Sequence, residues 1–209
     1  MSMRMLLPTS FAVCETSGDI PAALPEFESV VTTSAQAARR AEFATGRWCA
    51  RRALGDLDPA AAHQAVPVGD DRAPVWPPDV VGSITHCTGL RSAVVARRRD
   101  VVAVGVDAEP ARPLPLDAVE VILRTNERQY AESALSTVVF TVKEALFKAW
   151  WPLTRTWLDF QQARVTLGDG TADVDVLTAH PDWPTGRAQV RWSMHDGLIR
   201  TAVWIPAEP

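Results

Sequence analysis

Hydrophobic positions along the first half of the chain switch between the strand period of two residues and the helical period near 3.6. A first strand is predicted over residues 6–14, and a loop broken by proline follows over residues 18–25. Residues 34–57 then repeat at helical spacing, because Ala41, Thr45 and Trp48 share one face. Beyond a proline-rich loop at residues 67–78, the pattern predicts three further strands, over residues 80–87, 92–97 and 101–109.

The second half begins after residues 110–116, where three prolines exclude a regular helix or strand. Two helices are predicted next, over residues 117–136 and 138–151, and Pro152 is expected to end the second. Gly-Asp turns then predict hairpins at 163–178 and 187–205. The order of elements predicts an α+β fold of two similar-sized halves, residues 1–112 and 113–209.

Composition narrows the functional class. The 209 residues carry 21 basic and 25 acidic side chains, a formal net charge of −4. A generic nucleic-acid surface is therefore not expected, since non-specific binding needs clustered positive charge. We also expect no membrane span and no signal peptide. Three scattered cysteines without CxxC spacing indicate reduced thiols, so the expected location is the cytoplasm.

Lysine is rare and is confined to one segment. The basic residues are 19 arginines and only two lysines, Lys143 and Lys148, which fall in the second predicted helix of the C-terminal half. A lysine ammonium is a compact point charge that suits phosphate oxygens, whereas a solvated helix surface is the alternative role. The spacing makes this segment the first candidate for a site.

Three carboxylates accompany these lysines. Asp107 and Glu109 end the valine-rich strand two residues apart, so both point to the same face. Hard oxygen ligands of this kind suit Mg²⁺ or Mn²⁺ better than zinc. Glu144 lies between the lysines, with Lys148 four residues further on the same helical face. The alternatives are a solvated strand edge and an ordinary surface Glu–Lys pair.

Motifs for other chemistries are missing. His86 and Cys87 are neighbours on a predicted strand and diverge, which argues against a Cys–His nucleophilic pair. The chain contains no Gly-x-Ser-x-Gly elbow and no Walker loop. The other histidines, His63, His180 and His195, are expected on the surface.

Five blocks, taken together, resemble a known family. They are LLPTSFAV, RRAEFATGRWCARRAL, GSITHC, VGVDAEP and FTVKEALFKAW, in this order and spacing. The chain is similar to the 4′-phosphopantetheinyl transferases, in particular to the surfactin/enterobactin-type subfamily. The resemblance implies a monomeric pseudo-two-fold pair of α+β halves. It implies transfer of the phosphopantetheine arm of coenzyme A to a serine of an apo acyl or peptidyl carrier protein, with release of 3′,5′-ADP.

The resemblance also implies residue roles. Asp107, Glu109 and Glu144 would hold Mg²⁺, or Mn²⁺, against the pyrophosphate of coenzyme A. Glu144 would be the general base for the carrier serine, and Lys143 and Lys148 would neutralise the pyrophosphate. The catalytic set is thus Glu144, Lys148 and Asp107. The implied coenzyme A contacts are Thr85 and His86 with phosphates, and Arg39 and Arg47 with the adenosine 3′-phosphate.

Two places depart from the family pattern. Val68 and Asp71 stand where a lysine and an arginine are common, so two positive charges are missing and Arg72 is the candidate substitute. Leu135 and Ser136 stand where an aromatic-acidic pair is common. Two other classes remain open on sequence alone, a metal-dependent nuclease and a non-catalytic module that binds coenzyme A or a carrier. The pathway served, whether fatty-acid, polyketide or non-ribosomal peptide synthesis, is not indicated.

Overall fold

The computed structural model describes residues 1–20, 37–69 and 71–208. In chain order, its strands and helices are β1 Ala12–Thr16, α1 Ala37–Leu57, β2 Val80–Cys87, β3 Leu90–Arg97, β4 Val101–Pro110, α2 Leu116–Ile122, α3 Leu135–Thr154, β5 Ala163–Leu167, β6 Ala172–Val176, β7 Gln189–His195 and β8 Leu198–Pro206. Short 3₁₀ turns cover Met3–Leu6, Pro59–Ala61, Thr125–Tyr130 and Phe160–Gln162.

The two halves repeat one topology. In the N-terminal half, β1, α1, β2 and β3 follow each other, and the antiparallel sheet has the order β1-β3-β2. In the C-terminal half, β4, α3, β7 and β8 occur in the same order along the chain. Their three strands form an antiparallel sheet of order β4-β8-β7. The last strand of each unit is therefore central, and the first is an edge. The C-terminal unit differs by the inserted α2 and the separate β5–β6 hairpin.

The layers are helix, sheet, sheet, helix. Apolar residues of α1 pack on the outer face of the first sheet, and those of α3 pack on the outer face of the second. The inner faces meet in a shared core that includes Val81 and Val94 from one sheet and Val106 and Trp204 from the other. This mixed α+β architecture agrees with the expected fold class. No helix in the described parts of the chain is long and apolar enough to cross a membrane.

Edge strands β2 and β4 lie side by side where the two halves meet. Ser83 on β2 accepts a hydrogen bond from the backbone N–H of Val106 on β4 at 3.1 Å. On its other face, β4 lies so close to α3 that a Cβ on Gly105 would stand 1.8 Å from the carbonyl oxygen of Ala145. Glycine is therefore required at this crossing, and it brings the end of β4 against α3.

Most predicted elements are confirmed, and the exceptions have physical causes. The predicted helix over 117–136 is only α2 and a 3₁₀ turn, because Glu127 accepts the backbone N–H of Arg124 and caps a new turn. Pro152 does not end α3, which continues to Thr154. A proline near the end of a helix frees only one carbonyl, and the left-handed Arg155 then terminates the helix.

Strand β1 begins six residues later than predicted, because residues 3–6 form a 3₁₀ turn whose Met3 and Leu6 enter the core. The parts of the predicted loop and helix that fall within residues 21–36 lie outside the described residues. The expected division into two folding units at residues 112 and 113 stays a prediction. The chain passes from the first sheet to the second before that point, between Arg97 and Val101, because β4 pairs with β8.

Candidate active site

A cleft of about 1250 Å³ runs along the edge strands between α1 and the end of α3. Four of the predicted site residues line it: Arg39 and Arg47 from α1, His86 from the end of β2, and Lys148 from α3. Arg47 is 6% exposed, and its guanidinium lies 4.7 Å from the centre of the Phe43 ring. The cleft therefore gathers positive charge in a chain whose net charge is negative.

At the mouth of this cleft, β4 presents its acidic end to α3. Lys148 donates to Asp107 Oδ1 at 2.7 Å and to the carbonyl of Val106 at 3.0 Å. Thr85 donates to the same carboxylate oxygen at 3.1 Å. Asp107 is thus held between two strands and a helix, a fixed orientation that a single hydrogen bond would not give.

The remaining carboxylates lie within electrostatic range of Asp107. Burial raises the pKa of Glu144, the charge of Asp107 raises it further, and Lys148 opposes both. The pKa of Glu109 is likewise raised by burial and by Asp107, with Glu144 contributing. Three carboxylates and one ammonium therefore share one half-buried site. Carboxyl groups with raised pKa values in such a setting are typical of catalytic acids, bases and metal ligands.

Hard carboxylate oxygens and mutual repulsion fit a divalent cation, which would offset the excess negative charge. Within residues 1–20, 37–69 and 71–208, however, no three Asp, Glu, His or Cys side chains converge as a preformed metal site. One oxygen of Asp107 is already occupied by Lys148 and Thr85. The donor set therefore fits Mg²⁺ by its chemistry, and in this arrangement Asp107 is paired with Lys148.

Lys143 does not face the cleft, and its expected contact with pyrophosphate is not supported. Its ammonium, 1% exposed, pairs with Glu127 at 2.6 Å and donates to the carbonyls of Ile122 and Phe160 at 2.8 and 3.0 Å. All three of its protons are used inside the protein. Position explains the difference from Lys148, because five residues on a helix turn a side chain by about 140°.

Thr85 and His86 point in opposite directions, as predicted for neighbours on a strand. Thr85 is buried against β4, so its hydroxyl orients Asp107 instead of lining the cleft. His86 faces α1, where its Nδ1 lies 3.7 Å from a Glu42 carboxylate oxygen. Burial lowers the pKa of His86, Glu42 opposes this, and Lys148 reinforces it.

A second cavity of about 240 Å³ opens beside Glu144. Its walls include Phe147, Trp157, Leu158 and Phe160, so it is mainly apolar. The rings of Phe147 and Trp157, with centroids 4.9 Å apart, also line the large cleft and form the wall that the two spaces share. Glu144 lines the apolar pocket, and it is not among the residues that line the charged cleft.

Sequence reasoning missed the roles of three residues, although it noted Asp71 as a departure from the family pattern. Glu42 binds both His86 and the buried Arg91, Glu127 holds Lys143, and Asp71 bonds to the end of α3. Their partners lie between 16 and 84 residues away in the chain, so no local spacing reveals these contacts. The loop that departs from the family pattern reaches the candidate site, because Val68, Asp71 and Arg72 all line the cleft.

Comparison with known proteins gives the same conclusion. Residues 27–96 match the model of the 4′-phosphopantetheinyl transferase N-terminal domain, and residues 103–196 match that of the 4′-phosphopantetheinyl transferase superfamily. The first match covers the α1 half, and the second covers the strand and helix that carry the three carboxylates.

Relatives are similar over most of their length. The chain is 39% identical to the 4′-phosphopantetheinyl transferase PptT of Mycobacterium tuberculosis, over 86% of this chain and 85% of the relative. It is 36% identical to the transferase Npt of Nocardia iowensis, over 86% and 87%. For the transferase Svp of Streptomyces mobaraensis, the identity is 38% over 97% and 88%. With both halves matched and the acidic edge and basic cleft in place, the chain belongs to the 4′-phosphopantetheinyl transferase superfamily.

Proposed function

We propose that this enzyme performs its family's transfer in the cleft between α1 and α3, with Glu144 and Lys148 as the groups nearest the chemistry. A serine hydroxyl of an apo acyl or peptidyl carrier protein attacks the phosphorus next to pantetheine. The bond from that phosphorus to the bridging oxygen breaks, and 3′,5′-ADP leaves. The observation that carries the proposal is the contact of Lys148 with Asp107 at the mouth of a cleft lined by Arg39, Arg47 and His86.

Glu144 is the proposed general base. A serine hydroxyl is hardly ionised at neutral pH, so its attack needs a nearby carboxylate to take the proton. The raised pKa of Glu144 makes it a better proton acceptor than an ordinary surface carboxylate.

Lys148 is the proposed electrostatic catalyst. Its ammonium is 28% exposed at the cleft and is held by Asp107 and the carbonyl of Val106. Negative charge grows on the leaving diphosphate as the bond breaks, and a cation already fixed there stabilises the transition state. Lys143 has no direct part in this proposal.

Magnesium is the proposed metal, with Asp107, Glu109 and Glu144 as its protein ligands. When bound, the ion supplies positive charge to the pyrophosphate of coenzyme A. Arg39, Arg47 and His86 are the proposed partners of the 3′-phosphate, since phosphate binding favours arginine and imidazole donors together. We infer that the enzyme acts as a monomer in the cytoplasm.

The test is a panel of apo carriers of the acyl and peptidyl classes, assayed under one set of conditions. We expect a gain of the phosphopantetheine mass on at least one carrier, together with release of 3′,5′-ADP. Chelator should abolish both, and added Mg²⁺ or Mn²⁺ should restore them. Glu109→Gln should lose metal-dependent turnover, whereas Asp175→Asn, on the distant β5–β6 hairpin, should not.

The same panel separates the alternatives. Full turnover in Glu109→Gln would remove this residue from the metal site. Coenzyme A binding without transfer to any carrier would favour a non-catalytic module, and DNA cleavage would favour a nuclease. The family match leaves the nuclease without support.

A further inference from the structure

The loop between α1 and β2 is a pre-formed hairpin at the wall of the cleft. Val68 and Pro74 form an isolated bridge, and three backbone hydrogen bonds close the loop internally. They run from Val75 N to the carbonyl of Pro67 at 2.9 Å, from Gly69 N to Ala73 at 2.8 Å, and from Arg72 N to Gly69 at 2.8 Å. A loop with this many internal bonds moves as a unit.

Asp71, at the tip of this hairpin, reaches across to the C-terminal half. Its Oδ2 accepts the indole N–H of Trp151 at 2.7 Å and pairs with the guanidinium of Arg155. Its Oδ1 accepts the backbone N–H of Ala73 at 3.0 Å. Both oxygens are therefore occupied, one inside the loop and one on the last turn of α3.

The base of the hairpin is anchored separately. A Cβ on Gly82 would stand 2.7 Å from ring atoms of Trp76, so the indole packs directly on the β2 backbone. Among the described residues of the tip, the hydrogen bonds and ion pairs that reach another element are those of Asp71. The contacts of Asp71 are therefore the connection that decides where the tip lies.

Charge explains why this residue is acidic here. In the family pattern that this chain resembles, an arginine is common at this position. In this chain, Arg155 already stands opposite, and the hydrogen bond from Trp151 keeps the pKa of Asp71 below its usual range. An arginine at position 71 would meet Arg155 and be repelled.

We propose that Asp71 is a positioning residue that fastens the hairpin, described at residues 67–69 and 71–75, to the end of α3 and so fixes one wall of the coenzyme A cleft. It acts through Trp151 and Arg155, and it touches no reacting atom. A carboxylate therefore links this wall of the cleft to the C-terminal half, at a position where the family pattern has a cation. This role rests on the proposed function for its effect on coenzyme A, but not for its effect on the loop.

Hydrogen exchange tests the fastening without any substrate. In Asp71→Ala, the amides of Gly69, Arg72 and Val75 should exchange at least about fivefold faster than in the wild type, because the tip is released. Asp71→Asn keeps an acceptor for the Trp151 indole and should lie between the two. Unchanged exchange in Asp71→Ala would overturn the proposal, even if the chain proved inactive on every carrier.

Charge reversal tests the consequence for catalysis. Asp71→Arg should raise the KM for coenzyme A about fivefold while kcat stays within about twofold, since a displaced wall weakens binding of the ground state and of the transition state alike. Adding Arg155→Asp to the same chain restores opposite charges and should return the KM towards the wild-type value. Asp175→Arg, which breaks the surface pair with Arg164, is the matched control and should leave both constants unchanged.

The outcomes are distinct. A lower KM in Asp71→Arg would show a direct phosphate contact, as in the family pattern, and would overturn the proposal. In the double variant, normal hydrogen exchange of the loop with a KM that stays high would show that the loop position does not control coenzyme A binding. That result would also overturn the proposal. If Asp71→Arg does not fold, the exchange rates and KM of Asp71→Asn decide the matter. A wild type without transfer activity contradicts the proposed function alone.

Discussion

The two halves of this molecule share one β–α–β–β unit but use their helices differently. Helix α1 lays its apolar residues on the first sheet and turns arginines towards the cleft. Helix α3 is buried along most of its length and carries the carboxylate and lysine that meet the acidic end of β4. In the proposed function, the first of these similar units holds the anion of the substrate and the second carries the reacting groups.

The difference arises from close packing as well as from charge. Gly105 lets β4 approach α3 until Asp107 reaches Lys148. The corresponding helix of the N-terminal half meets its sheet mainly through side chains such as Cys49, Ala53 and Leu54. Its polar face is left to the cleft. Substitutions in the α3 half should therefore change turnover and stability, whereas substitutions in the α1 half should change coenzyme A binding.

Glu144→Gln should give the largest effect on the reaction. Loss of the proposed base removes proton transfer, so kcat should fall by at least about a hundredfold. Binding of coenzyme A, measured by calorimetry, should change far less, because the binding arginines belong to the other half. A variant that reacts normally would exclude Glu144 as the base.

Lys143 and Lys148 offer a comparison within one helix. Lys143→Met leaves Glu127 charged in the core, so the free energy of unfolding should fall by about 3–5 kcal/mol. Lys148→Met also unpairs a buried carboxylate, but the ammonium is 28% exposed at the cleft, so the loss should be smaller than in Lys143→Met.

Turnover should show the reverse order: among the folded proteins, changes at Lys148 should lower kcat more than changes at Lys143. Lys148→Ala should lower kcat at least about tenfold, and Lys148→Arg should recover only part of it, because a planar fork does not replace a point charge. Denaturant unfolding and carrier mass spectrometry together measure both properties. Equal stability losses for the two methionine variants would contradict the assignment of Lys143 to the core.

Arg47→Ala tests the N-terminal half. The KM for coenzyme A should rise at least about tenfold, since a charge-assisted contact with the 3′-phosphate is lost. The KM for dephospho-coenzyme A, which lacks that phosphate, should change less than about threefold. Arg52→Ala is the matched control, because Arg52 lies on the same helix over Trp48 and not among the cleft residues. Equal weakening of both nucleotides would assign Arg47 to the fold or the pyrophosphate.

Local patterns were sufficient for most of the fold and for part of the site. Hydrophobic patterning predicted β2, β3 and β4, because each strand buries one face or both, and Gly-Asp turns predicted the two hairpins. The spacing of Asp107 and Glu109 also placed them on one face of the strand. The contact of Glu127 with Lys143, by contrast, depends on how two loops return to α3. The two similar halves were expected from the order of elements and from the resemblance to the family, and not from repeated residues, because the repeat lies in strand order.

Thiol labelling gives the smallest effect and tests whether the halves stand independently. All three cysteines lie in the N-terminal half or at its edge. The hydrogen bond from Cys49 lowers the pKa of Cys14 below its usual value, while the same bond and burial raise the pKa of Cys49. Burial raises the pKa of Cys87 to about 11. Since the thiolate is the reactive form, iodoacetamide should modify Cys14 first and at the lowest pH.

The labelling order then reports on the coupling of the two halves. Under native conditions at about pH 8, Cys87 should react roughly a hundredfold more slowly than an exposed thiol, because only about 0.1% of it is ionised. Cys49, fully buried on the face of α1 that packs on the sheet, should be slower still. In Lys143→Met, Cys49 should react faster if the shared core between the sheets couples the halves, as the contact of Val81 and Val94 with Val106 implies. Labelling of Cys49 at the wild-type rate in that variant would show that the α1 half folds without support from α3, and the two halves would then be separate units joined at the cleft.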